Sequence, residues 1–287
     1  MIDRVPTSRP AGTLRRDAAL TAVLAAVGVL AVWWLFVTTS LGQRVESTAL
    51  DGSRIGRWRL AEGSQTVLDV VSVPFLVVVI LVGVVVALAR RQWRVALAVP
   101  VLVGGANVTT QVLKYGVLTR PNLGISDAVA NSLPSGHTTV AGTVAAVALL
   151  VAPPRWRWAV ALAGWVYAGG TGLATMVNGW HRASDVAAAM LVVLLWGALA
   201  VLVAGPALHG RRDRRTTVTL RLLVLGAGGC ALMAGLSLVV TAGVTAASRT
   251  ELLIAYGGAV LGVAAVTLVS AGLLLHLTTG SERPARR

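Results

Sequence analysis

The sequence predicts an all-α polytopic membrane helix bundle of eight spans, a six-span core followed by a C-terminal two-span hairpin. Three observations carry this prediction. The 287 residues are 56% apolar and 13% charged, whereas a soluble domain has about 45–50% apolar and about 25% charged residues. Cutting the chain at its charged residues and histidines leaves long windows at 18–43, 70–89, 95–113, 138–154, 158–180, 186–208, 222–248 and 252–275. Each contains a stretch near the roughly 20 residues that cross a bilayer as a helix. The windows are also apolar all round, where a soluble helix would keep a polar face.

Residues 1–17 are polar, with two prolines and four arginines, a composition that predicts a disordered tail. The apolar run from Ala18 to Val37 exceeds the roughly 7–15 residues of a signal-peptide core, so it reads as an uncleaved span. The segment from about Thr38 to Thr66 carries Glu46, Asp51, Glu62 and four arginines around Trp58; it is too short for a domain and fits a surface helix. The turns at 90–94 (RRQWR) and 153–157 (PPRWR) are short enough to make spans two and three, and four and five, antiparallel neighbours. Segment 205–216, with Pro206 and the run HGRRDRR, separates the core (18–205) from the hairpin (206–276), and a tail (277–287) follows. The hairpin turns at Arg249 to Glu251, and Gly258 and Gly262, four apart, suit close helix packing. Cys230, the single cysteine, cannot form an internal disulfide.

The net charge of +14 invites a nucleic-acid reading, which the placement of the charges answers. With the N-terminus inside, 17 of the 25 basic residues fall on the inner loops and tails and 8 on the outer ones. The positive-inside rule then makes both termini cytoplasmic. The expected location is a bacterial plasma membrane, the expected partners are membrane lipids with anionic headgroups, and nucleic acid is not among them.

Polar residues near membrane depth are costly, and those that persist are candidates for function. They gather in two loops that parity places on the outer face: 114–137 (KYGVLTRPNLGISDAVANSLPSGH) and 179–185 (GWHRASD). Pro134, Ser135, Gly136 and His137 precede an apolar helix, where free N–H groups and the helix dipole favour an anion; an ordinary N-cap has the same look. Lys114, the only lysine, and Arg120 supply opposite charge, although a lysine at a span end also snorkels. His181 and Asp185, four apart, share a helix face, and a carboxylate on one imidazole nitrogen leaves the other free as base or nucleophile. A simple helix-start contact accounts for the pair equally. No HExxH or cysteine cluster points to a metal, and His209 and His276 read as interfacial bystanders.

Taken in order, these residues resemble the type 2 phosphatidic acid phosphatase superfamily, whose pattern is K-x6-R-P, P-S-G-H and S-R-x5-H-x3-D. Residues 134–137 match the second motif in full. His181 and Asp185 match the later part of the third, and Lys114 with Arg120-Pro121 approximates the first with five intervening residues in place of six. Where the third motif has serine and arginine, Ala174 and Thr175 stand here.

The resemblance implies a metal-independent, cofactor-free membrane phosphatase acting on a lipid phosphate or polyprenyl pyrophosphate at an extracytoplasmic site. By it, His181 becomes a phosphohistidine, Asp185 orients it and His137 protonates the leaving oxygen. Lys114, Arg120, Ser135 and Gly136 would hold the phosphoryl oxygens. Arg182 is the candidate for the charge lost at Thr175, or else it snorkels to headgroups. A noncatalytic lipid-phosphate binder or transport component on the same fold is the alternative.

Overall fold

The computed structural model describes residues 11–55, 57, 63–65, 68, 73–125, 130–208, 212–243 and 247–280. Helix α1 (Ala11–Val32) runs on through a π-helical turn, Trp33–Thr38. Then come α2 (Ser40–Ser53), α3 (Val73–Ala89) and α4 (Trp93–Val112), the last continued by a π-helical turn, Leu113–Val117. Helices α5 (Gly136–Val151), α6 (Arg157–Val177), α7 (Ala183–Ala204), α8 (Arg214–Thr241) and α9 (Arg249–Leu277) complete the bundle.

Each of the eight expected apolar windows is mainly helical where it is described. Among the described residues, six helices are long and apolar enough to cross a membrane, and the protein is an integral membrane protein. The other two, α3 and α5, are apolar but shorter. At 16 residues, α5 spans about 24 Å against a hydrocarbon core of roughly 30 Å.

One expectation at the N-terminal end is corrected. The helix begins at Ala11, so residues 11–17 are not a disordered tail; residues 1–10 lie outside the described ones. The first span does end where the apolar run does, its helix closing at Thr38. Thr39 adopts an extended backbone and its hydroxyl accepts the Gly42 N–H at 3.0 Å, and this N-cap starts α2 as a separate helix. Helix α2 is the helix expected in the segment after the first span, exposed at Leu41 and Arg44 but not lying free on the surface. Gly42, Gln43, Glu46, Ala49, Gly52 and Ser53 are buried, and a Cβ at Gly52 would lie 2.2 Å from the Leu252 carbonyl oxygen, so this face of α2 lies directly on α9.

The expected antiparallel pairs α3–α4 and α5–α6 are in contact. Helix α7 is the central pillar, packed by α1, α4, α5 and α9, with 67% of its apolar window buried against 17% for peripheral α8. Gly105 on α4 accepts the Trp196 ring so closely that a Cβ would fall 2.2 Å from it. The hairpin is not an appendage, because α9 touches α2, α6 and α7 as well as α8. Gly258 permits the α8 approach, a Cβ there lying 2.1 Å from the Ser237 hydroxyl.

At the end of the bundle where α5, α7 and α9 finish, Arg157 is 2% exposed and donates to the carbonyls of Ala152, Leu208 and Thr278. These oxygens close α5, the turn after α7, and α9, so one guanidinium satisfies helix C-terminal acceptors that would otherwise be buried without partners. Nearby, the His276 Nδ1 lies 3.0 Å from Arg212 Nη2; His209 lies outside the described residues.

Candidate active site

The opposite end of the bundle gathers the starts of α5 and α7. Ser135 is the N-cap of α5, extended in backbone, and its hydroxyl oxygen accepts from the Thr138 N–H at 3.4 Å and the Thr138 hydroxyl at 3.0 Å. It is fully buried. Its own N–H donates to the Asp185 carbonyl at 2.9 Å, stitching the two helix starts together. Gly136 has open space where a Cβ would stand, so the first turn of α5 presents backbone without obstruction. Two helix N-termini converging in this way concentrate positive dipole ends.

At the start of α7, Asp185 Oδ2 accepts three donors: the Ser132 hydroxyl at 2.7 Å, the Arg182 N–H at 2.9 Å and His181 Nδ1 at 3.0 Å. A carboxylate oxygen so placed accepts a hydrogen bond from Nδ1–H, which fixes the proton there and leaves Nε2 with its lone pair. The turn before α7 makes this possible. Gly179 adopts φ +72°, a left-handed conformation that favours glycine, and the chain folds back so that the Thr175 carbonyl accepts the Trp180 and His181 N–H groups at 3.0 and 3.3 Å. Thr175 is fully buried, its hydroxyl on the Gly172 carbonyl at 2.7 Å. The position where the resembling family has arginine is thus a sealed support beneath His181.

His137, in the first turn of α5, stacks obliquely with Trp180, ring centroids 5.5 Å apart at 45°, and lies within electrostatic range of His181 and Lys114. Lys114 sits on the π-helical turn, its ammonium 5.5 Å from the Tyr115 ring centroid and its carbonyl held by Asn131 at 3.3 Å. The loop bearing Arg120 is pinned on both flanks. Trp33 donates to the Thr119 carbonyl at 3.0 Å and Gln43 to the Pro121 carbonyl at 2.9 Å. Arg182 is 8% exposed and sends Nη1 to the Ser132 hydroxyl at 3.4 Å. It does not snorkel outward.

Every site residue named from sequence therefore lies at this end of the bundle, but the sequence reading missed four others: Glu46, Gln43, Ser132 and Trp180. Glu46 matters most. Its Oε1 accepts the Ser184 N–H at 3.1 Å and its Oε2 lies 3.9 Å from Arg120 Nη1. Burial, then the charge of Asp185, pushes its carboxyl up to about 7, against the opposing pull of Ser184 and Arg182. Burial and the neighbouring Arg182 charge likewise lower Arg120, with Glu46 and Asp185 countering. The signal available in sequence was the spacing of Gly42, Glu46, Ala49 and Ser53, a narrow small-residue stripe at helical period with one acid in it. Among the described residues, no three His, Cys, Asp or Glu side chains converge as a metal-binding group.

No curated protein and no solved structure matches the chain. A family model does: that of the PAP2 superfamily matches residues 95–208, which contain both site loops and helices α4 to α7 apart from the first residues of α4. The matched segment holds Lys114, Arg120, residues 134–137, His181 and Asp185; α2 with Glu46 and the terminal hairpin lie outside it. Over this segment, the chain is similar to the PAP2 superfamily, the family that its sequence motifs resemble.

Proposed function

We propose that this phosphatase hydrolyses a lipid phosphate or polyprenyl pyrophosphate through a phosphohistidine, without a metal, at a site facing the extracytoplasmic side. The observation that carries the reading is the His181 Nδ1 to Asp185 contact of 3.0 Å, which leaves Nε2 as the nucleophile. His181 Nε2 forms the bond to phosphorus while the bond to the lipid oxygen breaks, and His137 gives that oxygen its proton. Water then attacks the phosphohistidine, returning a proton to His137 and freeing phosphate and His181. Lys114, Arg120, Arg182 and the Gly136 N–H stabilise the redistributing charge beside Ser135, the usual main contribution in phosphoryl transfer. Since the site opens on a membrane-embedded bundle, the substrate's tail stays in the apolar phase while its headgroup reaches His181.

Purified full-length protein, supplied with phosphatidic acid, phosphatidylglycerol phosphate or a polyprenyl diphosphate, is expected to release phosphate in EDTA. Rapid quenching of a radiolabelled substrate should trap acid-labile, alkali-stable phosphate on the protein, absent in His181→Ala. A metal-dependent enzyme indifferent to His181→Ala would overturn the mechanism. Thr175 in the arginine position favours a second reading, a noncatalytic lipid-phosphate binder, which predicts saturable binding with no release.

A further inference from the structure

Beside the site lies a cavity of about 280 Å³. His181, Arg182 and Glu46 line its polar end, and residues such as Met176, Leu238 and Val263 line its apolar body. Helices α1, α2, α7, α8 and α9 all contribute to its wall. We propose that one hydrocarbon chain of the phosphorylated substrate occupies this cavity, so that the terminal hairpin, outside the matched family segment, is the chain-binding wall of the enzyme. The proposal rests on reading the site as a lipid-phosphate site, and it assigns the hairpin a role in that reading.

Continuity and polarity support the assignment. A headgroup at the nucleophile and a chain in the cavity would need no break between them, since His181 and Arg182 belong to both. The charges also match: a cation and helix N-termini stand at the polar end, and apolar and small side chains fill the remainder. Size argues for a single chain, because the volume lies just under the roughly 300–1,000 Å³ of ordinary small-molecule sites. Access is available from the lipid phase, since α8 is peripheral and Leu238 is 37% exposed. A chain leaving the bilayer for this cavity exchanges one apolar surrounding for another. The benefit is therefore positional: it fixes the phosphorus against Nε2, the kind of orientation that lowers a reaction barrier.

The test uses dodecyl phosphonate, whose carbon–phosphorus bond is not hydrolysed, carrying a diazirine at the terminal carbon. Photolysis with the full-length protein in detergent, followed by peptide mass spectrometry, is expected to label α8 and α9 around Leu238 and Val263. An excess of unmodified dodecyl phosphonate should abolish that labelling. Gly262→Leu grows into the cavity, since the nearest atom to a Cβ there is Ala234 Cβ at 3.8 Å, and it should reduce labelling at least tenfold. Gly235→Leu, where a Cβ meets nothing, is the second variant and should act in the same direction. Labelling that is not competed, that maps away from α8 and α9, or that survives in both variants overturns the proposal. Labelling needs no turnover, so the two readings fail separately. Competed labelling without phosphate release removes the phosphatase reading alone, and release with chain labelling elsewhere removes the cavity assignment alone.

Discussion

Glu46 and Arg120 face each other with 3.9 Å between carboxylate oxygen and guanidinium nitrogen, and their side chains are 3% and 4% exposed. The pair joins α2 to the pinned loop after α4, and the same carboxylate caps α7 through the Ser184 N–H. Because the folded protein holds this carboxyl near 7 rather than 4.5, its neutral form is favoured by folding. Its stabilising contribution is complete below about pH 4.5 and is lost as the pH rises through about 7, a change of roughly 3 kcal/mol. The unfolding midpoint of wild type in detergent should therefore fall between pH 5 and 8 relative to Glu46→Gln. Parallel curves for the two proteins would remove Glu46 as the titrating group.

Asp185→Asn keeps the shape of the side chain but can present its NH2 to Nδ1, favouring the wrong imidazole tautomer. Turnover should drop by roughly 10³–10⁴, as when a comparable orienting carboxylate is lost. Ser132→Ala removes one of three donors to Oδ2 and should cost turnover far less. Equal losses in the two variants would count against tautomer control.

Arg182→Ala leaves the backbone N–H that caps α7 in place, so the fold should persist while the guanidinium is removed. Phosphate release should slow by roughly 10²–10³, the usual consequence of deleting one donor to a developing anion. Near-normal release would leave Lys114 and Arg120 as the cationic clamp.

Sidedness is open to direct chemical labelling. In a Cys230→Ala background, Asn122→Cys should react with an impermeant thiol reagent on intact cells and Arg212→Cys should not. The reverse pattern would invert the topology inferred from the arginine distribution.

The spans were legible because each is apolar all round and bounded by charge, a property that survives without knowledge of neighbours. His181 and Asp185 were legible for a similar reason, since a separation of four fixes their meeting on one helix. The end of the first span near Val37 was legible from its apolar run, but the cap that starts α2 was less so. The window contains no charge there, and only the cap residues Thr39 and Gly42 mark it. Glu46 was illegible as a site residue because its partners, Arg120 and the start of α7 at Ser184, come from distant parts of the chain. Read alone, α2 has the polarity of a helix facing water. Arg182 illustrates a further limit: as an extended N-cap residue it escapes the 100° divergence expected of adjacent helical positions, and its side chain reaches Ser132 instead of the headgroups.

Arg157 fastens the finishing ends of α5, α7 and α9 with one buried guanidinium, and this has a mechanical consequence. Relative motion of these helices must pivot at that clasp, so displacement grows along their length. Helix α9 has 29 residues and is a lever of about 43 Å; a tilt of about 5° moves its far end by roughly 4 Å. That far end borders α2 and the mouth beside His181. The two ends of α9 are thus held by different means: a single buried guanidinium at the base, and close backbone packing of Leu252 on Gly52 of α2 at the end beside the chemistry.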